Sequence, residues 1–284
     1  MRMFGLAFYA GLGFAAVFLS PGLARADVLQ HPTGEVVDTL DARMDQPLPK
    51  NSELKIGFGP VIKTALDSGR NRFYPLPLIF YRYKEYLSID EAEVRVNVFA
   101  NESAAAKAGF RAGPMLNIDF GNRMPFTRGV KEAGKVGTSI EVGGFASYRY
   151  GPASVRVRAR QDIFGGHGGT VVNLDLRSGF YRGHGVSLAA QVATTWGSQK
   201  YMQSNFGVTA AQAGPAGLPI YTPKAGFRDI TPSLVGEYKF NDHWATTATV
   251  QFVRRIGDVG DSPIVDRRGT ADRILSGVFV MYTF

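Results

Sequence analysis

The closing stretch of the chain, Val278-Phe279-Val280-Met281-Tyr282-Thr283-Phe284, decides the fold reading. Side chains of an extended strand alternate between two faces, so Val278, Val280, Tyr282 and Phe284 share one face, and every member of it is apolar or aromatic. Taken alone, the run also suits the buried edge strand of a soluble sandwich, whose apolar face points inward. The rest of the chain has to discriminate.

Upstream, the same period recurs strand after strand. Val172, Leu174 and Leu176 alternate with Asn173, Asp175 and Arg177, and before them Val155, Val157 and Ala159 alternate with Arg156, Arg158 and Arg160. Val186, Leu188, Ala190 and Val192 alternate with Ser187 and Gln191, and Trp244, Ala248, Val250 and Phe252 lie opposite Gln251. Each of these strands has one apolar face and one strongly polar face.

At the other end, Arg2 precedes the uncharged run Phe4 to Leu19, which Pro21 and Gly22 break just before the small-x-small site Ala24-Arg25-Ala26. This is the layout of a secretory signal, and it predicts cleavage after Ala26. Read instead as an uncleaved anchor, the run is short for a spanning helix, and no later apolar run approaches the roughly 20 residues such a helix needs. Export leaves a soluble periplasmic domain or a barrel. The 34 glycines, 12 tyrosines and 20 phenylalanines fit alternating strands joined by turns, and the terminal pattern resembles the signal read by the outer-membrane barrel-assembly machinery. The expectation is an all-β chain: a closed antiparallel transmembrane β-barrel in the cell outer membrane, surrounded by lipid and lipopolysaccharide. Closure follows from physics, because backbone groups facing lipid cannot stay unpaired.

Residues 27–52 hold Pro32, Pro47, Pro49 and scattered acids without periodicity, and read as a periplasmic leader ahead of a barrel over 53–284. Strands are expected near 53–62, 75–83, 85–90, 92–99, 107–120, 137–150, 152–163, 168–179, 185–195, 226–239, 243–254 and 273–284, about 12 in all, with Glu85 to Asp90 the shortest. This even count puts the tight turns at Gly151, at Tyr181 to Gly185 and at Asn241-Asp242 on the periplasmic side, and the long connections 121–136, 196–225 and 255–272 outside. Tyr148, Tyr150, Phe180, Tyr181, Tyr238 and Trp244 suit an interfacial girdle.

Composition narrows function as well. The absence of cysteine removes disulfides and thiolate chemistry. The net charge of +8 loses Arg2 and Arg25 with the signal, and no basic run interleaved with aromatics points to nucleic acid. Of four histidines, His31 is in the leader, His184 and His243 are at periplasmic turns and His167 is at an external one, which does not assemble a metal or catalytic cluster. A barrel hydrolase would need Ser262 brought to His167 across the external loops; Asp261-Ser262-Pro263 reads equally as a turn pinning a long loop. No enzyme and no cofactor are expected. His167 itself, between two glycine pairs, reads as a capped tight turn or as a ligand contact.

The lumen face carries a charge cluster: Glu141 and Arg149, then Arg156, Arg158 and Arg160, then Asp175 and Arg177 on successive strands. An arginine ladder favours anions in a channel, whereas opposite charges on neighbouring strands pair and fill a narrow barrel. The aromatics Trp196, Tyr201, Phe206 and Tyr221 in loop 196–225 exceed what a linker needs and suit a lid over the external mouth or a recognition surface.

Several stretches resemble the MltA-interacting protein family of outer-membrane proteins, also called MipA/OmpV: Tyr74-Pro75-Leu76-Pro77, Phe164-Gly165-Gly166-His167-Gly168-Gly169, Trp196-Gly197-Ser198-Gln199-Lys200-Tyr201, Phe206-Gly207-Val208-Thr209, Gly217-Leu218-Pro219-Ile220-Tyr221 and Asp261-Ser262-Pro263-Ile264-Val265. Their order and spacing match over most of 53–284; the leader 27–52 departs from the family. The resemblance implies a scaffold or accessory barrel in envelope and peptidoglycan maintenance, similar to adaptors that bring a lytic transglycosylase to a peptidoglycan synthase. A narrow pore and an adhesin working through the external loops are the rival readings.

Overall fold

The computed structural model describes residues 51–66, 69–101, 107–120, 136–268 and 271–284. Their backbone forms one antiparallel sheet of thirteen segments: β1 Glu53–Ala65, β2 Arg70–Tyr83, β3 Leu87–Asp90, β4 Glu93–Val96, β5 Phe99–Asn101, β6 Ala108–Asp119, β7 Ser139–Tyr150, β8 Ala153–Asp162, β9 Thr170–Gly183, β10 Val186–Gly197, β11 Gly226–Lys239, β12 Trp244–Arg255 and β13 Asp272–Thr283. Neighbours follow chain order, and two pairings complete the ring. The last strand pairs with the first, Val280 against Phe58, and β4 pairs with β6, Val94 against Leu116. β4 and β5 both lie along β6, so they occupy one wall position interrupted at Asn97-Val98, and the barrel has twelve strands.

Twelve strands and their order agree with the sequence expectation, including the short third one. Alternation does the work that was expected of it. Val278, Val280 and Phe284 are 51%, 50% and 66% exposed on the outer wall, and Tyr282 packs edge-on to Trp244 at 4.8 Å as part of an aromatic rim. On the inner face, Arg156 registers against Asp175, and Ser233 against Gln251. On most strands lipid takes the apolar face and the lumen takes the polar one, the inverse of a soluble sandwich.

Three features go beyond the sequence reading. The long connection after β10 carries two helices, α1 Gln199–Phe206 and α2 Ala210–Ala216, and the one after β12 carries α3 Gly257–Gly260 and α4 Pro263–Arg268. The lumen is also divided. Val61, Leu78, Leu275, Phe279 and Met281 form an apolar core inside β1, β2 and β13, facing the arginine-rich side contributed by β3 to β9. Finally, β3 and β4 are only four residues long, so among the described residues part of β2 has a strand neighbour on one side only. The leader 27–50 and most of the external connection 121–136, at 121–135, lie outside the described residues.

Candidate functional site

The stretches that carry the resemblance lie far apart in sequence and, except for Tyr74-Pro75-Leu76-Pro77 in β2, converge at the external mouth. The first element is a turn built around Asp162 at the end of β8. Its carboxylate accepts from the backbone N–H groups of Phe164 at 2.9 Å, Gly165 at 3.2 Å, His167 at 2.9 Å and Gly168 at 2.6 Å. Wrapping the chain around one carboxylate requires left-handed backbone at two points, and these are Gly165 (φ 87°) and Gly168 (φ 65°).

That turn fixes His167. Its Nδ1 accepts from the Gly169 N–H at 3.0 Å, so in the neutral ring the proton sits on Nε2, which reaches Glu141 Oε1 at 2.8 Å. Glu141 in turn accepts from Asn117 at 2.7 Å and lies 3.0 Å from Arg160 Nε. Asp119, Glu141 and His167 bring ligand-type atoms within 4.8 Å of one another. The chemistry of the set argues against a metal: a ligating Nε2 must be unprotonated, with Nδ1 donating to a second partner, and here Nδ1 faces a donor. The Arg160 guanidinium beside Glu141 adds repulsion toward a cation. The histidine is a strut, and it is 2% exposed.

The cap is seated on this strut. The Tyr201 ring of α1 meets the His167 ring edge-on at 4.9 Å, and Ser204 Oγ donates to the His167 carbonyl at 2.9 Å. Ser198 caps α1 and also accepts from Thr170 N–H at 2.9 Å, tying the helix to the start of β9. A Cβ on Gly169 would sit 2.4 Å from Tyr201 N, and one on Gly197 would sit 2.4 Å from the Tyr201 ring, so both glycines let α1 lie directly on the wall. Trp196, half-buried, precedes that contact at the end of β10. The Tyr201 hydroxyl accepts from Arg228 at 2.5 Å; burial raises its pKa despite that cation.

Further along, Val208 and Tyr221 form a two-residue bridge, and the Tyr221 hydroxyl donates to the Asp258 carbonyl of α3 at 2.7 Å. Burial first, then the nearby Asp258 and Asp261 carboxylates, raise the pKa of Tyr221. Asp261 and Pro263 bracket the step from α3 to α4, and the hydroxyl of Ser262 between them donates to the Phe206 carbonyl at 2.7 Å, fully buried. Val208, Ala216, Leu218 and Ile264 make one small core, and Val171, Tyr201, Met202, Val259 and Val265 a second. Both long connections therefore pack into a single lid. Ser262 is held by Phe206, while His167 is held by Glu141 and Gly169.

Below the lid, the charge cluster is threaded into one network. Arg156 and Arg158 meet Asp175 at 3.4 and 3.0 Å, Arg158 and Arg160 meet Glu93 at 3.0 and 3.4 Å, and Arg160 meets Glu141. Arg149 and Arg177 are buried on either side of Ser154, one level nearer the periplasmic end. Sequence reasoning named the residues of β7 to β9 and missed the other half. Glu93 reaches across from β4, and Asp90 joins Arg82 and Arg95 there. The signal was present as alternating charge in Asp90-Glu91-Ala92-Glu93-Val94-Arg95, but the segment was too short to show which face was inward. At the periplasmic end a cavity of about 390 Å³ remains, bordered by Arg177, Arg182, Ser187 and Glu237.

Residues 56–284 match the family model described as MltA-interacting protein MipA. Two curated relatives, both called MltA-interacting protein, from Escherichia coli (strain K12) and Shigella flexneri, are 26% identical over 90 residues, which span 32% of this chain and 36% of each relative. The chain thus aligns with about a third of their length. Among solved structures, an outer membrane channel from Pseudomonas putida F1 is similar at TM-score 0.43 and 9% identity, covering 84% of this chain and 98% of that one. The NanC porin is similar at TM-score 0.40 and 12% identity, covering 81% and 98%.

Proposed function

This chain belongs to the MltA-interacting protein MipA family of outer-membrane barrels, and from that premise we propose that it is a scaffold in envelope and peptidoglycan maintenance, docking a lytic transglycosylase and through it a peptidoglycan synthase. The observation that carries the reading is the state of the lumen. Arg158 is 1% exposed and is held by two carboxylates, Asp175 of the neighbouring β9 and Glu93 of β4, and the two helical connections pack together as a lid at the mouth above it. Moving a solute through would disturb these buried ion pairs, whose charges are costly to leave uncompensated. A filled, lidded barrel offers partners its periplasmic turns, its leader and its wall instead.

The periplasmic turns are short, so the contact is small and depends on a partner held at the same membrane, where effective concentration compensates for weak contact. Pull-down from detergent-solubilised native envelopes on the refolded barrel tests the reading, with a leader-deleted form alongside. Retention of a lytic transglycosylase or a peptidoglycan synthase above an unrelated barrel supports it. If neither is retained by protein whose folding is verified by heat-modifiable gel migration, the scaffold role is refuted. The rival pore reading requires current steps in planar bilayers, and the rival adhesin reading requires host-surface binding that is lost on deleting 198–225.

A further inference from the structure

One part of the barrel wall is unevenly paired. β1 accompanies β2 along its whole length, from Glu53↔Arg82 to Ala65↔Arg70, whereas β3 reaches only Phe80 to Tyr83. One more bond crosses on that side, from the Glu91 N–H to the Ile79 carbonyl at 3.0 Å, and it shows that the backbone groups of Ile79 point away from β1. Antiparallel alternation then points those of Pro77, Pro75, Phe73 and Asn71 the same way. No ladder partner meets these four residues on that side among the described residues; the strand beyond the seam, β6, pairs with β4 only at Met115 to Asn117.

Two of the four are prolines. With the N–H removed at Pro75 and Pro77, the edge cannot be extended by another strand, so pairing with a neighbouring protein is blocked. What remains is a row of carbonyl acceptors at Phe73, Pro75 and Pro77, with N–H donors left only toward its outer end, at Phe73 and Asn71. The row lies in the lipid belt: Pro75 registers with Pro60, Phe73 registers with Ile62, and Phe73 and Phe58 are 67% and 61% exposed on the outer wall. Tyr74, Leu76 and Leu78 are buried on the inner face, where most other strands are polar, so β2 is apolar on both faces here. The seam is in the external half of the wall, since β2 descends from Arg70 at an external turn to Tyr83 at a periplasmic one.

Unmet carbonyls at membrane depth are costly, and a plain hydrocarbon chain has nothing to donate to them. We propose that this seam binds an outer-leaflet lipid whose acyl chain carries amide or hydroxyl groups. The chain lies along the two-sided apolar stretch of β2, and its N–H and O–H groups donate to the proline-guarded carbonyls.

The test uses the full chain in vesicles, with Trp196→Phe and Trp244→Phe removing the native tryptophans and one aromatic replaced at a time. Tyr74→Trp reports the inner side of the seam, Phe73→Trp the outer wall, and Phe145→Trp the inner face away from the seam. With chain-brominated phosphatidylcholine, the Tyr74→Trp protein is expected to lose nearly as much fluorescence as Phe73→Trp, while Phe145→Trp keeps its signal. Unbrominated lipid A, whose chains are amide-linked and hydroxylated, is then expected to restore the Tyr74→Trp signal more than the same amount of unbrominated phosphatidylcholine. Quenching at Tyr74→Trp no deeper than at Phe145→Trp overturns the seam as a binding site, and equal restoration by the two lipids overturns the preference for donors. If the substituted proteins do not fold, native mass spectrometry of the unsubstituted protein decides: a retained lipid of lipid A mass supports the proposal, and bare protein or ester-linked phospholipid alone overturns it.

Discussion

Glu93 ties the short β4 to the arginines of β8 within the lumen, and Glu93→Gln should reveal it. The carboxylate reaches Arg158 at 3.0 Å, Arg95 at 3.2 Å and Arg160 at 3.4 Å, with side-chain exposures of 10% or less for Glu93, Arg95 and Arg158. Salt screening is weak at such burial, so the surface-pair discount does not apply. Breaking a buried pair by removing one partner costs about 3–5 kcal/mol, because the other charge stays buried. Two compensations lower the figure: Arg158 keeps Asp175 at 3.0 Å and Arg160 keeps Glu141 at 3.0 Å, and glutamine retains one acceptor oxygen. We expect a loss of about 2–3 kcal/mol. Urea unfolding in lipid vesicles, followed by fluorescence of Trp196 and Trp244, reads it directly. A double-mutant cycle with Arg158→Met should show the pair costing less than the sum of the single changes. A Glu93→Gln midpoint corresponding to less than about 1 kcal/mol would refute the account of Glu93 as the tie between β4 and β8.

Other consequences follow from the same geometry. Asp162→Ala removes the acceptor of four backbone N–H groups and strands three of them, since His167 N–H retains Ser139 Oγ at 3.1 Å, and should cost about 2 kcal/mol in vesicle unfolding, with Asp162→Asn intermediate. Tyr201→Phe removes only the Arg228 bond and should cost about 1 kcal/mol, whereas Tyr201→Ala also empties the site against His167 and Phe206 and should cost about 3 kcal/mol or more, both read by thermal unfolding in detergent. Because the folded pKa of Tyr221 is raised above its ordinary value of 10.0, the neutral phenol is favoured in the docked lid; its contribution is complete below that value and is lost as pH rises through the folded pKa. Protease nicking of the lid across an alkaline series should show a smaller limb in Tyr221→Phe than in the unsubstituted protein, the remainder belonging to Tyr201, whose pKa is also raised by burial. Planar-bilayer recordings of the unsubstituted protein should lack steady current steps, and well-defined open-state steps would contradict a filled and lidded lumen.

The sequence by itself determined the barrel, its strand number and which residues face lipid. These rest on a two-residue period and on the rule that lipid accepts only the apolar face, both local properties of strands such as Ala153–Asp162 and Asp272–Thr283. It also placed Arg156, Arg158, Arg160 and Asp175 on one inner face, since registered neighbours can be inferred when turns are short. Only the tertiary structure could bring Glu93 across to Arg158, 65 residues apart, because which strands face each other through a lumen depends on closure and shear, not on period. The same holds for the lid. Phe164 to Gly169, Trp196 to Tyr201 and Asp261 to Val265 are irregular in sequence, and their purpose appears only where Asp162 holds the His167 turn, Tyr201 packs on His167 and Ser262 bonds the end of α1 at Phe206. The seam was hidden for a further reason: Tyr74-Pro75-Leu76-Pro77 reads as an ordinary apolar strand, and its prolines gain meaning only once β3 and β4 prove too short to cover it. A strand shows its own faces in its own residues; its missing neighbour is a property of the whole sheet.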